Sequence, residues 1–468
     1  MTANGTYLQH RRVLPSLGYQ RGRELGNAGE RRQHGLPARP AVRALDDGGE
    51  AAREGGGPNF DFEAVVGTDE GQVALAPGAL RRTWAEGGRR YFHYVTDHPI
   101  DNDYAFYSAD YAVEEGRWKD VAIQVFHHPG HRHNAARMVK SVQASLDYLS
   151  GQFGPYPYGQ LRFVEHPSEG VGLHAAPVNV SFAEGFSLLH PEKDPLNIDF
   201  PFAVVAHEVA HSWWGGQVAP AWVEGAPVLS ESLAWYSALS VVEKTHGAAH
   251  MGRLMDKMRE AYLTPRSRAG VPLLRAVDWF LAYRKGPFAM YALREYVGEE
   301  RVNTALRRMV ERYGSGEPPL PTSRDLYREL QAVTPDAQRG LLHDLFEANT
   351  YWALQAKRAA AEPAGDGTWW VTLDVQTRKE TVDLEGLATE VPLDELVEVG
   401  VYAAGKEGAL GEPLYLARHR LRSGAQQLRV KVRGEPAHAG IDPRHLLIDV
   451  NPEDNLQDVP SPSGRGSG

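Results

Sequence analysis

Apolar residues recur at steps of three and four through AARMVKSVQASLDYLSGQFG, where Met138, Val142, Leu146 and Leu149 share one face. That period predicts a helix from about Asn134, which Gly151 or Gly154 can end. In PFAVVAHEVAHSWWGG the residues Phe202, Val205, Ala206, Val209 and Trp213 form a similar stripe. This second helix is expected to begin after Asp199 or Phe200, with Pro201 in its first turn and Gly215-Gly216 at its end. His207 and His211 lie off the stripe. In LSESLAWYSALSVVEK the broad apolar face of Leu229, Leu233, Tyr236, Leu239 and Val242 predicts a third helix, from about Leu229 to Lys244. Helical segments continue to about residue 350, among them WFLAYRKGPFAMYALREYVGEE.

Both flanks follow a period of two. RRYFHYVTDHPI and WKDVAIQVFHH set aromatic and β-branched residues between turn residues and predict a small antiparallel β domain. PYPYGQLRFVEHP reads as a turn and strand. SEGVGLHAAPVNVSFAEGF is Gly-rich and then strand-like, as expected at the edge of a cleft. From Gly367 the alternation resumes in TWWVTLDVQT and continues in VEVGVYA, EPLYLARHRL, QQLRVKVRG and HLLIDVN. That spacing predicts a small β-sandwich. The chain therefore divides into an irregular N-terminal arm or linker (1–57, with DDGGEAAREGGG as the linker), an N-terminal β domain (58–130), a mostly helical domain (131–355), a C-terminal β-sandwich (366–455) and a disordered tail (456–468).

Composition narrows the function. A chain of 468 residues is too long for one ordinary core. A net charge of −10 and the lack of a basic, aromatic-rich patch exclude a nucleic-acid partner. No apolar run reaches the ~18 residues a membrane span needs, and MTANGTYLQHRRVLPSLGYQ has no signal-peptide core. A soluble chain is expected. Cysteine is absent, which removes thiol catalysis, disulfides and Cys-based zinc sites.

His207-Glu208-Val209-Ala210-His211 carries the chemistry. Two histidines four apart on a helix point the same way and suit two ligands of one tetrahedral zinc; the Glu beside the first can hold an attacking water. A catalytic zinc needs a third protein ligand and an open position. Glu231, in the first turn of the next helix, can supply it, or can simply be an acid favoured by the helix dipole. Glu208 would take the proton from the water and pass it to the leaving amine. The oxyanion needs a further donor, for which a Tyr hydroxyl serves; periodicity does not choose among the 20 tyrosines. The run His127, His128, His131 and His133 straddles Pro129-Gly130, so its side chains are expected to diverge rather than share an ion. His246 and His250, with Gly247 between them, read as surface residues.

HEVAHSWWGG, LSESLAWYSAL and YRKG together resemble the M1 family of zinc aminopeptidases, among the gluzincins. The stretch GGQVAPAWVEGAPVLSES, with GYQRGRELGNAGERRQHGL and AGIDPRHLLIDVNPEDN, resembles the M1-like domains attached to bacterial ABC-transporter permeases. FGPYPYGQLRFVEHP resembles the segment that leads into the family's substrate-binding strand. The resemblance covers nearly the whole chain. It implies an α+β multidomain fold with a thermolysin-like, mostly helical catalytic domain between the two β domains. It implies zinc held by His207, His211 and Glu231, Glu208 as general base, and Tyr283 of YRKG as oxyanion donor. It implies a peptide substrate, a membrane permease as partner, and a place on the extracytoplasmic face of a bacterial membrane.

The chain departs from the family pattern in places. Nineteen residues separate His211 from Glu231, one more than is usual. The N-terminal β domain is shorter than is usual. The family's Gly-x-Met-Glu-Asn motif, whose Glu grips the substrate's amino terminus, corresponds to Gly172-Leu173-His174-Ala175-Ala176, and Ala175 cannot pair with an ammonium. Gly172, His174 and Ala175 are thus the expected substrate-binding positions with altered amino-terminus recognition, and Glu169 or Glu184 is the expected substitute acid. The alternative function is a zinc-retaining peptide-binding or sensor domain of a transporter system with little peptidase activity.

Overall fold

The computed structural model describes residues 5–14, 24–37, 42–47, 59–263, 270–405 and 410–460. It divides into two units: Met1–Leu254 with Val277–Tyr283 and Asn303–Glu329, and Met255–Ala276 with Arg284–Val302 and Leu330–Gly468.

In the first unit a five-stranded mixed sheet underlies the site. Its strands run in the order Leu173–Ala176, Asn179–Ala183, Gln160–His166, Val121–His127, Ala112–Trp118. Val121–His127 and Gln160–His166 are parallel, and the helix Ala135–Phe153 makes the crossover a parallel pair requires. Met138, Val142, Leu146 and Leu149 are buried, as the period predicts. The helix lies close on the sheet because Gly116 has no side chain; a Cβ there would sit 2.3 Å from Val139 Cγ1. It ends at Gly154, whose φ of 113° disfavours a side chain.

Two smaller sheets precede it: Glu63–Asp69, Arg89–Val95 and Ala79–Glu86; and Thr6–Gln9, Ala105–Ala109 and Val73–Leu75. Their buried core of Phe62, Phe92, Tyr94 and Tyr107 includes Phe126 and Val164 of the five-stranded sheet. A boundary at residue 130 therefore cuts a sheet in two, since Ala112–Trp118 and Val121–His127 pair with the strands that follow. The arm expected to be irregular also contributes. Thr6–Gln9 is a strand, and Ala28–Gln33 is a short helix whose first N–H groups bond to Asn27 Oδ1. The linker after Asp47 lies outside the described residues.

The second unit carries two antiparallel four-stranded sheets. One holds Thr350–Gly365, Thr368–Val382, Ala388–Val391 and Gly424–Arg433; the other holds Leu410–Arg422, Asp394–Ala404, His438–Ile441 and Leu456–Asp458. The first hairpin turns at Asp366-Gly367 with both φ values positive, the twist that suits right-handed strands. Strand structure begins at Thr350 rather than near residue 366. Leu456–Asp458 is paired where a disordered tail was expected, and residues beyond 460 lie outside the described ones. HLLIDVN forms one isolated bridge instead of a strand. Its N–H groups are diverted: Asp442 accepts from Leu446 and Leu447, and His445 has φ 52°. Among the described residues no helix is long and apolar enough to cross a membrane.

Candidate active site

The helix Phe200–Ala210 starts where Asp199 Oδ1 accepts the Phe202 N–H at 3.1 Å. Asp199 is itself held from several sides. Its Oδ2 lies 3.1 Å from Arg137 Nε and 3.7 Å from His246 Nε2, and its N–H donates to His250 Nε2 at 3.0 Å. His246, exposed as expected, and the half-buried His250 also secure the start of this helix. The expected apolar stripe is buried, and so is the opposite face: every residue from Pro201 to Ala210 is buried. Ala135–Phe153 contributes Ser141, whose hydroxyl donates to Phe202 O. The helix closes at Ala210, earlier than Gly215-Gly216, and His211 follows it as the capping residue.

Glu231 lies in a π-helical turn, Val228–Ser232, that precedes the helix Leu233–His246. Tyr283 lies in a second π-helical turn, Leu281–Lys285. Such turns carry one more residue than an α-turn and gather at functional sites. The two are tied together, since the fully buried Ser232 hydroxyl donates to Ala282 O at 2.8 Å.

The three donors converge. His207 Nε2 and His211 Nε2 are 3.1 Å apart, and Glu231 Oε2 lies 3.2 and 3.4 Å from them. A tetrahedral zinc with bonds of about 2.0–2.1 Å requires ligand edges of about 3.3–3.4 Å, so the donors already have that spacing. Trp214 O accepts the His211 Nδ1–H at 3.0 Å, which leaves Nε2 with its lone pair facing Glu231. Trp235 stacks on His207 at 4.6 Å. Glu231 Oε2 is buried without a hydrogen-bond donor. Three lone-pair atoms facing one point demand a positive charge. In the metal-free site a proton partly meets that demand. Burial alone would lower His211, but the Glu231 carboxylate beside it raises it to about 9. Burial would raise Glu231, and the two imidazoles hold it far below its usual range. The donor set fits zinc.

Glu208 and Tyr283 line the same cleft, of about 270 Å³. Tyr283 stands 5.8 Å from the His207 ring and meets Trp279 edge-on. The opposite wall is the edge strand Leu173–Ala176, which brings in His174 and Ala175. Gly172 does not line the cleft and is exposed. Neither Glu169 nor Glu184 reaches it; Glu184 faces His131 instead, at 3.8 Å. Asp101 and Asp103, which the sequence did not single out, line the same cleft as Ala175. Asp103 Oδ2 lies 2.7 Å from His174 Nε2. That hydrogen bond raises His174, and it holds Asp103 down although burial alone would raise it.

A buried and a half-buried imidazole, a buried carboxylate, a neighbouring Glu and a phenol in one cleft have the composition of a hydrolytic metal centre. Residues 138–337 match the peptidase family M1 domain, a span that contains both π-turns and all five of these residues. The chain is 22% identical over 261 residues to Aminopeptidase M1-B of Oryza sativa subsp. japonica, covering 52% of this chain and 29% of that protein. It is 24% identical over 229 residues to Aminopeptidase M1-C of the same plant (47% and 25%). It is 20% identical over 289 residues to Tricorn protease-interacting factor F2 of Thermoplasma volcanium (56% and 36%). The chain thus matches about a quarter to a third of the length of these relatives.

Proposed function

We propose that this chain is a zinc-dependent metallopeptidase of aminopeptidase type, with His207, His211 and Glu231 as ligands. The observation that carries the reading is the convergence of three lone-pair atoms at tetrahedral spacing, in a cleft that Glu208 and Tyr283 also line. When bound, zinc supplies Lewis acidity and lowers the pKa of a water to about 7. Glu208 accepts the proton of the attacking water and returns it to the amine that leaves. Tyr283 donates a hydrogen bond to the carbonyl oxygen as charge develops there. Among the described residues the strand Leu173–Ala176 pairs on one side only, with Asn179–Ala183, which leaves its other edge for an extended peptide. Asp101 and Asp103 line the cleft with Ala175, and Asp103, held by His174, is the acid proposed to face a free amino terminus. The resemblance of the flanking stretches supports a permease partner and an extracytoplasmic site of action.

Metal analysis tests the ligand set: the cleft is expected to hold about one zinc per chain that His207→Gln loses, and no such loss would sink it. Glu208→Gln should keep the metal and abolish turnover. A panel of free-amine aminoacyl reporters and internally quenched, N-blocked peptides then separates the readings. Cleavage of free-amine reporters supports the aminopeptidase, and cleavage of blocked peptides alone marks an endopeptidase. Tight peptide binding without cleavage by the zinc-loaded wild type marks the alternative, a zinc-retaining binding or sensor domain, which the absence of Glu at Ala175 favours.

A further inference from the structure

His133 and His190 lie far apart in sequence but side by side in the fold. Their rings are 4.4 Å apart, centre to centre. One oxygen, Glu192 Oε1, faces both: it is 2.7 Å from His190 Nδ1 and 3.5 Å from His133 Nε2. A donor atom of each residue lies within 4.8 Å of the others. The arrangement matches the catalytic donors, where one oxygen of Glu231 faces two imidazoles. We propose that His133, His190 and Glu192 form a second metal site, exposed and separate from the cleft, for a borderline divalent cation such as zinc or copper(II).

The donor types set the class. Two imidazoles and a carboxylate suit zinc, copper and nickel, whereas calcium and magnesium call for oxygen donors alone. The backbone beneath the donors is already ordered. Asn134, next to His133, is 1% exposed. Its Nδ2 donates to the carbonyls of Phe186, Ser187 and Leu189, at 3.3, 3.2 and 2.9 Å. Lys193 N–H donates to His190 O and closes the turn that carries Glu192. The segments that bear the ligands are therefore fixed before a metal arrives, and only exposed side chains have to move. Opening the 2.7 Å His190–Glu192 contact toward the roughly 3.3 Å of a tetrahedral edge takes a shift of about 0.6 Å. An ion there clips residues 190–192 to the turn that starts the helix Ala135–Phe153. From that helix Arg137 bonds both Asn134 and Asp199, the residue that caps the helix bearing His207.

The test counts zinc on the full chain. Wild type and the His133→Gln/His190→Gln double variant are titrated against a chromophoric chelator. Wild type is expected to hold one equivalent more, whatever number the cleft contributes, so this outcome does not depend on the peptidase reading. Zinc should also slow amide exchange across residues 188–193 in wild type and not in the double variant. Should the double variant fold poorly, Glu192→Gln changes one exposed side chain and should lose the same equivalent. Equal stoichiometry in wild type and variants overturns the proposal.

Discussion

Loading zinc into the cleft should displace a proton, and Glu231 should be the reason. In the metal-free protein His211 sits near pKa 9, because the Glu231 carboxylate outweighs the burial that would lower it. The three donors touch, so the proton belongs to the cluster rather than to one ring. At pH 7.5 a group of pKa about 9 is roughly 97% protonated, so about one proton must leave per zinc bound. The competition should weaken apparent zinc affinity about 30-fold at pH 7.5, or about 2 kcal/mol, and fade as pH rises past 9. Glu231→Gln removes the main charge that sustains the proton, leaving only Glu208 and the Trp214 carbonyl to oppose burial. Calorimetry in buffers of different ionisation enthalpy measures the count. The slope of observed heat against buffer enthalpy at pH 7.5 should be larger in wild type than in Glu231→Gln by up to about one proton, because a proton lost by the zinc-bound water counts in both, and the variant should bind zinc far more weakly. A wild-type slope near zero at pH 7.5, or an unchanged slope in the variant, would show that Glu231 does not hold the histidine pair in its charged form.

Ser232→Ala leaves Ala282 O buried without its donor, at a cost of about 1–3 kcal/mol. It should lower kcat by loosening Tyr283 while zinc content stays the same; unchanged kcat would mean that the link between the π-turns is only structural. Asp103→Asn should reduce kcat/KM on free-amine reporters at least about tenfold, near 1.4 kcal/mol, and leave N-blocked peptides little affected; equal losses on both would point to a general defect. In the second unit, burial pushes the Asp442 carboxyl up to about 8. The folded pKa lies above the unfolded one, so the contribution is fully present below about pH 4 and is lost as pH rises toward 8, by at most about 1.4 kcal/mol per unit. Urea unfolding from pH 5 to 8 should show this fall in wild type, and Asp442→Asn should flatten it; parallel curves would remove Asp442 as its source.

What could be read in the sequence was what local spacing determines. The period of AARMVKSVQASLDYLSGQFG located the first helix and its glycine stop, and Asp199-Phe200-Pro201 located the start of the second. His207 and His211 are brought together by helix geometry alone, so their proximity needed no tertiary information. The rest depends on packing between distant segments. A π-turn at Glu231 or Tyr283 leaves no mark in composition. Thr6–Gln9 is too short to declare itself, and becomes a strand because Ala105–Ala109 offers it an edge. Asp103 reaches His174 across 71 residues, and DHPIDNDY reads only as a turn. The histidine run also divides in a way its spacing could not give. His131 turns inward to Glu165, at 2.6 Å, while His133 turns outward to His190 and Glu192.

The helix bearing His207 illustrates why pattern and burial part company. Its apolar residues make a stripe, which on a surface helix would leave the other face to water. Here that other face carries His207 and Glu208, 2% and 7% exposed. Burying them is costly unless every polar atom meets a partner or an ion. Glu231 Oε2 and His207 Nδ1 lack hydrogen bonds, so the protein alone does not meet that cost in full. Other buried polar groups of the same unit are paired, Trp214 Nε1 donating to Ser237, Tyr236 to Asn303 and Asn303 to Gln152, while Ser145, His166, Asn179 and Trp235 also carry side-chain atoms without a hydrogen bond. A cation where the three donors converge would satisfy Glu231 Oε2 and both Nε2 atoms together. On this reasoning the polarity of the cleft is a binding site held ready by the fold and not a defect in its packing.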